Sequence, residues 1–165
     1  MENLKRSRTY EWIDPMHTAH TGRSMSGYDF LKGLLDGRIP PPPIAETIGF
    51  RPSALEPGKV SFEFEPKEFH YNPLGMVHGG VISTILDTAL GCALQSQLPQ
   101  GTGYTTLELK VNFVRAVTIK SGLLKADGRL VHLGRTTAVT EADLRDLTGK
   151  LYAHATCTCL LLAHS

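Results

Sequence analysis

"NPLGMVHGGVISTILD", residues 72–87, is the stretch on which the reading of this chain turns. It begins with a turn-forming Asn-Pro pair, passes through His78-Gly79-Gly80 and runs into an apolar segment that carries an acid, Asp87, two turns in. At 100° per residue, Ile82, Ile85, Leu86, Ala89, Cys92 and Ala93 share one face of a helix expected over about residues 79–98. Gly80, Ser83, Thr84, Asp87 and Gly91 form the opposite stripe, with Leu90 and Leu94 at its margin. That stripe has no Lys, Arg or Glu, and its small residues let another backbone approach closely. The pattern therefore predicts a helix covered on both faces, the second by a partner subunit.

Strand patterns flank this helix. Val60, Phe62 and Phe64 alternate with Ser61, Glu63 and Glu65, and Pro66 ends the run. Leu107, Leu109, Val111 and Phe113 alternate with Thr106, Glu108, Lys110 and Asn112, which predicts a strand with one wet face. Residues 118–131 and 134–144 give two further long strands. "KLYAHATCTCLLL" (150–162) closes the chain with Leu151, Ala153, Ala155, Cys157, Cys159 and Leu161 on one face. Strand signal begins at Ile44. The order is strand, strand, helix, then four strands. The fold class is α+β: a long central helix wrapped by a curved antiparallel sheet of five to six strands.

Residues 1–43 read as an N-terminal extension and 44–165 as the main domain. Within the extension, residues 1 to about 26 are polar and aperiodic. Tyr28, Leu31, Leu34 and Leu35 have helical spacing, Gly37 follows, and four prolines make a stiff connector.

Bulk composition excludes several classes. A length of 165 residues suits one domain, and 41% hydrophobic with 20% charged residues is ordinary for a globular protein. A net charge of +1 argues against a broad nucleic-acid or membrane-binding patch. The start, "MENLKRSRTYEWID", lacks the apolar core of a signal peptide, and no apolar run reaches the ~20 residues of a membrane helix. The three cysteines, without a CxxC pair, read as small buried hydrophobes in a reducing compartment, so a cytoplasmic location is expected. Seven histidines show no HxxxH or HExxH spacing, and GxSxG, GxGxxG and P-loop motifs are absent, so no metal or nucleotide cofactor is expected.

The chemistry left to the chain lies at the start of the helix and on its polar stripe. The first N–H groups of a helix lack intrahelical acceptors and carry the positive end of the macrodipole. Gly79 and Gly80 let an acyl group approach them without a Cβ in the way, as an oxyanion site requires. Asp87 can activate a water or attack a carbonyl itself. Asn72 can donate a second hydrogen bond to a carbonyl, and Thr106, on the polar side of its strand, can orient a water. Each has a plainer reading taken singly: a tight start to the helix, a surface acid, a turn asparagine, a β-forming threonine. About 12 Å of helix axis separates Gly79 from Asp87 at 1.5 Å per residue, too far for both to touch one carbonyl carbon. The Asp87 that serves a given Gly79 is therefore expected from a neighbouring subunit.

The combined spacing of Asn72, Gly75, His78, Gly79, Gly80 and Asp87 resembles the hotdog-fold acyl-CoA thioesterases of the phenylacetate-degradation type. The resemblance continues to about Leu162. It implies a hotdog fold, active sites shared across a homodimer, and dimers paired into tetramers. It also implies hydrolysis of an acyl-CoA to free acid and CoA, with coenzyme A present only as part of the substrate. In that scheme Gly79 N–H and Asn72 polarise the thioester carbonyl. Asp87 is base or nucleophile, Thr106 assists the water and His78 lines the site near the thiol. Gly80, Val131, His132, Gly134 and Arg135 contact substrate or coenzyme A. Two alternatives stay open: an acyl-thioester hydratase or dehydratase, and a non-catalytic acyl-CoA-binding protein.

Overall fold

The period-two segments form strands because each buries one row of side chains against the central helix and turns the other outward. The structure, a computed structural model, describes residues 4–163. Its strands are β1 (Phe50–Glu56), β2 (Lys59–Phe64), β3 (Thr102–Phe113), β4 (Leu124–Leu133), β5 (Thr137–Asp146) and β6 (Leu151–Ala163). They form one sheet in the order β1-β2-β4-β5-β6-β3 with every pair antiparallel, so β3 is an edge strand. A helix, α4 (Gly79–Gln95), packs across the sheet against five of the six strands. This is the expected hotdog arrangement, with six strands.

Burial drives that docking. Ile85, Leu86, Leu90 and Leu94 of α4 are fully buried against Phe64, Leu124, Leu144, Cys157 and Cys159. Each such aliphatic side chain contributes about 1.5–3 kcal/mol over leaving it exposed. Leu90 and Leu94, expected at the margin of the polar stripe, thus belong to the core, and Cys92, with little of its surface exposed, packs against that core. Helix and sheet meet closely at Gly128 of β4, where any Cβ would collide with the Ala89 carbonyl. The helix ends at Gln95 rather than near residue 98. Ser96 Oγ there donates to Ala93 O and accepts from Gly58 N, tying the β1–β2 turn to the helix end.

The N-terminal part carries more helix than expected. Residues Pro15–Arg23, inside the stretch read as aperiodic, form α1, because Asp14 caps the Met16 N–H and Pro15 suits the first turn. Next comes α2 (Gly27–Leu35), capped by Ser26. Gly27 lies flush on the Gln95 backbone and its N–H donates to Leu98 O at 3.0 Å. The strand signal at Ile44 is instead α3 (Pro43–Ile48), again started by a proline, and β1 begins only at Phe50. Likewise the strand expected from residue 118 starts at Leu124, after a 3-10 turn at Ile119–Ser121.

Candidate functional site

Asn72 sits in a loop whose two ends are clamped together. His78 N–H donates to His70 O at 2.8 Å, and Tyr71 and Val77 form an antiparallel bridge. Within the loop Asn72 Oδ1 accepts from Leu74 N and Met76 N, which is the turn role of an asparagine. Both bonds use the oxygen, so Nδ2 is left to donate elsewhere. His70, buried at the loop base, accepts from Lys67 N through Nδ1 and meets Ile48 O through Nε2, so Nε2 carries its proton. Burial, with the Arg8 and Lys67 charges, holds its imidazole below the ordinary histidine range.

At the helix start, His78 is the N-cap: its Nδ1 accepts from Gly80 N at 2.9 Å. That bond spends the Gly80 N–H and fixes the ring as an Nε2–H tautomer. Val81 N and Ile82 N donate to His78 O. Gly79 N–H alone of this first turn has no acceptor among the described residues. The Phe113 ring lies 3.2 Å from where a Gly79 Cβ would stand, so only glycine fits there undisturbed. Gly79, Asn72 and Phe113 line one pocket of about 350 Å³ with Met76, Val77 and Val117.

Asp87 lies elsewhere on α4, half-buried, where Thr106 Oγ1 donates to its Oδ1 at 3.1 Å. Thr106 was expected on the outward face of β3. A register shift between Thr106 and Glu108 against β6 turns it inward instead. Thr106 pairs with buried Cys159 and Leu109 with buried Cys157, so both sides of the bulge face the helix, and Leu107 at the bulge is 58% exposed. Bulges of this kind re-aim side chains beside functional sites. Cys157 Sγ lies 4.0 Å from Thr106 Oγ1 and 3.4 Å from Cys159 Sγ, and all three cysteines are free thiols. Burial pushes the Cys92 thiol up to about 12, helped by the Asp87 carboxylate. The Tyr104 phenol is raised by burial above all, then by nearby Cys92 and Cys159, with Asp87 adding less. Cys92 and Tyr104 therefore stay neutral.

Within one chain, then, Asn72 and Gly79 share a pocket, and Asp87 and Thr106 form a separate pair. His78 and Asp87 make no hydrogen bond to one another. Val131, His132, Gly134 and Arg135 lie at the β4–β5 hairpin, where a second register shift, between Leu130 and His132, leaves Val131 56% exposed. Arg135 is exposed and forms no ion pair among the described residues. The same residues contain no group of three metal-ligating side chains. None of their helices is long and apolar enough to cross a membrane. Tyr104, which sequence reasoning did not single out, stands two residues before Thr106 with its ring against Gly91. The small residue one turn after Asp87 was the signal for it.

Comparison with known proteins shows the family of this chain. The sequence pattern of the thioesterase superfamily matches residues 74–153. A 1,4-dihydroxy-2-naphthoyl-CoA hydrolase of Listeria monocytogenes is 29% identical over 115 residues, 70% of this chain and 92% of the relative. A solved phenylacetic acid degradation-related protein of Ralstonia eutropha is 30% identical with a TM-score of 0.71, covering 79% of this chain and 98% of the other. A Streptococcus mutans protein solved with acetyl CoA bound is 30% identical with a TM-score of 0.63, covering 70% and 90%.

Proposed function

Because the chain belongs to the thioesterase superfamily and is a thioester hydrolase, we propose that it cleaves acyl-CoA at a site assembled from two copies of the chain. One copy supplies Gly79 N–H and Asn72 Nδ2, which hydrogen-bond the thioester oxygen as it gains negative charge. The other supplies Asp87, held by Thr106. The observation that carries this reading is the placement of Asp87. A half-buried carboxylate is braced by a hydroxyl that a bulge turns inward, on the edge strand β3, about 12 Å along the helix from the Gly79 N–H, which has no acceptor among the described residues. An open sheet edge invites pairing with a second chain. Antiparallel pairing of two α4–β3 units brings the Asp87 of one toward the Gly79 of the other. Two such dimers form the tetramer.

In this scheme water is the only co-reactant. As general base, Asp87 takes a proton from water while the water oxygen bonds to the acyl carbon. The C–S bond then breaks and the CoA sulfur gains the proton. As nucleophile, Asp87 would bond to the acyl carbon as the C–S bond breaks and CoA leaves as its thiolate; water would then open the anhydride at the Asp87 carbonyl, its proton going to the thiolate. Single turnover in oxygen-18 water separates the two: label enters the released acid directly with a base, and enters Asp87 with a nucleophile. Val131, His132, Gly134 and Arg135, on the exposed hairpin, contact coenzyme A, Arg135 facing its phosphates. Gly80 shapes the backbone at the helix start, its N–H being spent on His78. His78 caps the helix and borders the thiol. Residues 44–165 are the hotdog unit, 1–43 its extension, and the location is cytoplasmic.

The test is thiol release from a panel of short, medium, long and aryl acyl-CoAs. Asp87→Ala is expected to lose turnover on the best substrate, and full activity in that variant overturns the assignment. Hydration of enoyl-CoA without thiol release would favour the hydratase alternative. Saturable binding without turnover would favour a binding protein.

A further inference from the structure

A cavity of about 430 Å³ lies between α1, α2, the end of α4 and the start of β3, with Pro15, Ala19, Phe30, Gln95, Thr102 and Tyr104 in its walls. Its position relative to Asp87 follows from the two periodicities. Asp87, Gly91 and Gln95 are successive i, i+4 positions on one stripe of α4, so Gln95 stands about 12 Å along the axis from Asp87. On β3, Thr106, Tyr104 and Thr102 alternate onto one face, the face on which Thr106 meets Asp87. The two rows run side by side. Tyr104 packs on Gly91 midway between them, since a Cβ at Gly91 would run into its ring and hydroxyl. The cavity is thus the continuation of the Asp87–Thr106 face, with Tyr104 at its threshold.

Its walls come from both parts of the chain. Gln95, Thr102 and Tyr104 lie inside the superfamily match at 74–153, whereas Pro15, Ala19 and Phe30 lie outside it. The helices outside the match are fixed to the end of α4 by the Gly27–Leu98 hydrogen bond and the flush Gly27–Gln95 contact, and α1 rests on α2 where Gly22 meets the Phe30 ring. The volume falls in the range of small-molecule sites; on its α1–α2 side Pro15, Ala19 and Phe30 give apolar surface, and Thr18 and Arg23 of α1 add polar groups to the same wall.

We propose that this cavity receives the distal part of the acyl group, which runs from the thioester at Asp87 past Tyr104 to end beneath α1. The N-terminal extension is then the element that sets acyl specificity, and the chain selects medium-length, largely apolar acyl groups over short ones. The proposal rests on the acyl-CoA reading above. The copy that gives Asp87 to a site also gives the tail its pocket, and the other copy holds the carbonyl. In the full-length protein, kcat/KM for decanoyl-CoA relative to acetyl-CoA is the readout. Ala19→Phe fills the cavity from α1 and Thr102→Leu fills it from β3. Each is expected to lower the ratio at least roughly tenfold, the scale of discrimination a hydrophobic pocket gives per methylene. Thr102→Leu carries the test alone if Ala19→Phe does not fold. A wild-type enzyme that prefers acetyl-CoA, or a ratio unchanged in both folded variants, overturns the pocket assignment while leaving the hydrolase reading standing. Wild-type protein inactive on every ester overturns both.

Discussion

The Thr106–Asp87 contact allows a quantitative test. Thr106→Val removes the hydroxyl but keeps the β-branched shape, so the strand and its bulge are retained. What is lost is one hydrogen bond of 3.1 Å to a carboxylate. Such bonds contribute about 1.5–3 kcal/mol when one partner is charged, and access to solvent puts this pair at the low end. If the hydroxyl holds the carboxylate in its reactive orientation, about 1.5 kcal/mol appears in the barrier, roughly a tenfold fall in kcat. Thr106→Ser keeps the donor and should recover most of that loss. Asp87→Asn should cost about 10²–10⁴-fold, the range for a lost acid–base group. Because Thr106 acts through Asp87, adding Thr106→Val to Asp87→Asn should cost little more. The assay is thiol release at saturating acyl-CoA, with thermal melting to show that each variant is folded. Full activity in Thr106→Val, or a loss that simply adds to that of Asp87→Asn, would refute the reasoning.

Three further outcomes follow from the structure. His78→Ala removes the N-cap of α4 and should cost about 1 kcal/mol, with His78→Asn restoring most of it, read as a melting-temperature shift of about 2–4 °C. Gly128→Ala forces a Cβ against the Ala89 backbone oxygen and should destabilise by about 1–3 kcal/mol. Because the clash is with backbone, Ala89→Gly should not rescue it, and a rescue would show that the clash was misidentified. Burial lowers the folded pKa of His70 below 6.5, so the unfolded chain binds more protons in the window just below that value. The contribution of neutral His70 is therefore complete above about pH 6.5 and is lost as pH falls toward the folded pKa. Melting temperature should decline less steeply between pH 7 and pH 5 in His70→Gln, and an identical slope would rule His70 out as the source.

The sheet and α4 could be read from periodicity because each buries a continuous row of apolar side chains, and burial of that kind writes a repeat into the sequence. The N-terminal helices leave weaker marks. In α1 only Thr18 is buried, so there is no apolar stripe to count, and the signal was the Asp14-Pro15 pair that starts it. In α3, six residues long, the prolines suit a helix's first turn as well as the stiff connector that their run predicts. The site was legible in part for the same reason. The spacing of His78, Gly79 and Asp87 along one helix is local information. By contrast, that His78 caps the helix and thereby consumes the Gly80 N–H depends on the rotamer of its ring, which sequence does not record.

Thr106 shows where a period-two argument fails. Alternation assigns a side chain to a face only while two strands stay in register, and one extra residue inverts every assignment beyond it. Residues 106–113 alternate cleanly, so Thr106 read as outward. The inversion lies in how β3 pairs with β6: Thr106 opposes Cys159, Glu108 opposes Thr158, and Leu107 opposes nothing. The cost is an apolar side chain left 58% exposed on an edge strand. In return Thr106 and Tyr104 join Leu109, Val111 and Phe113 on the helix side. The row along β3 then meets α4 at three points: Phe113 against Gly79, Thr106 against Asp87 and Tyr104 against Gly91. Without the bulge the Asp87 carboxylate would lose its brace and Gly91 its contact with Tyr104. An exposed Leu107 on an edge strand is also the kind of surface that a second β3 would cover in the proposed dimer.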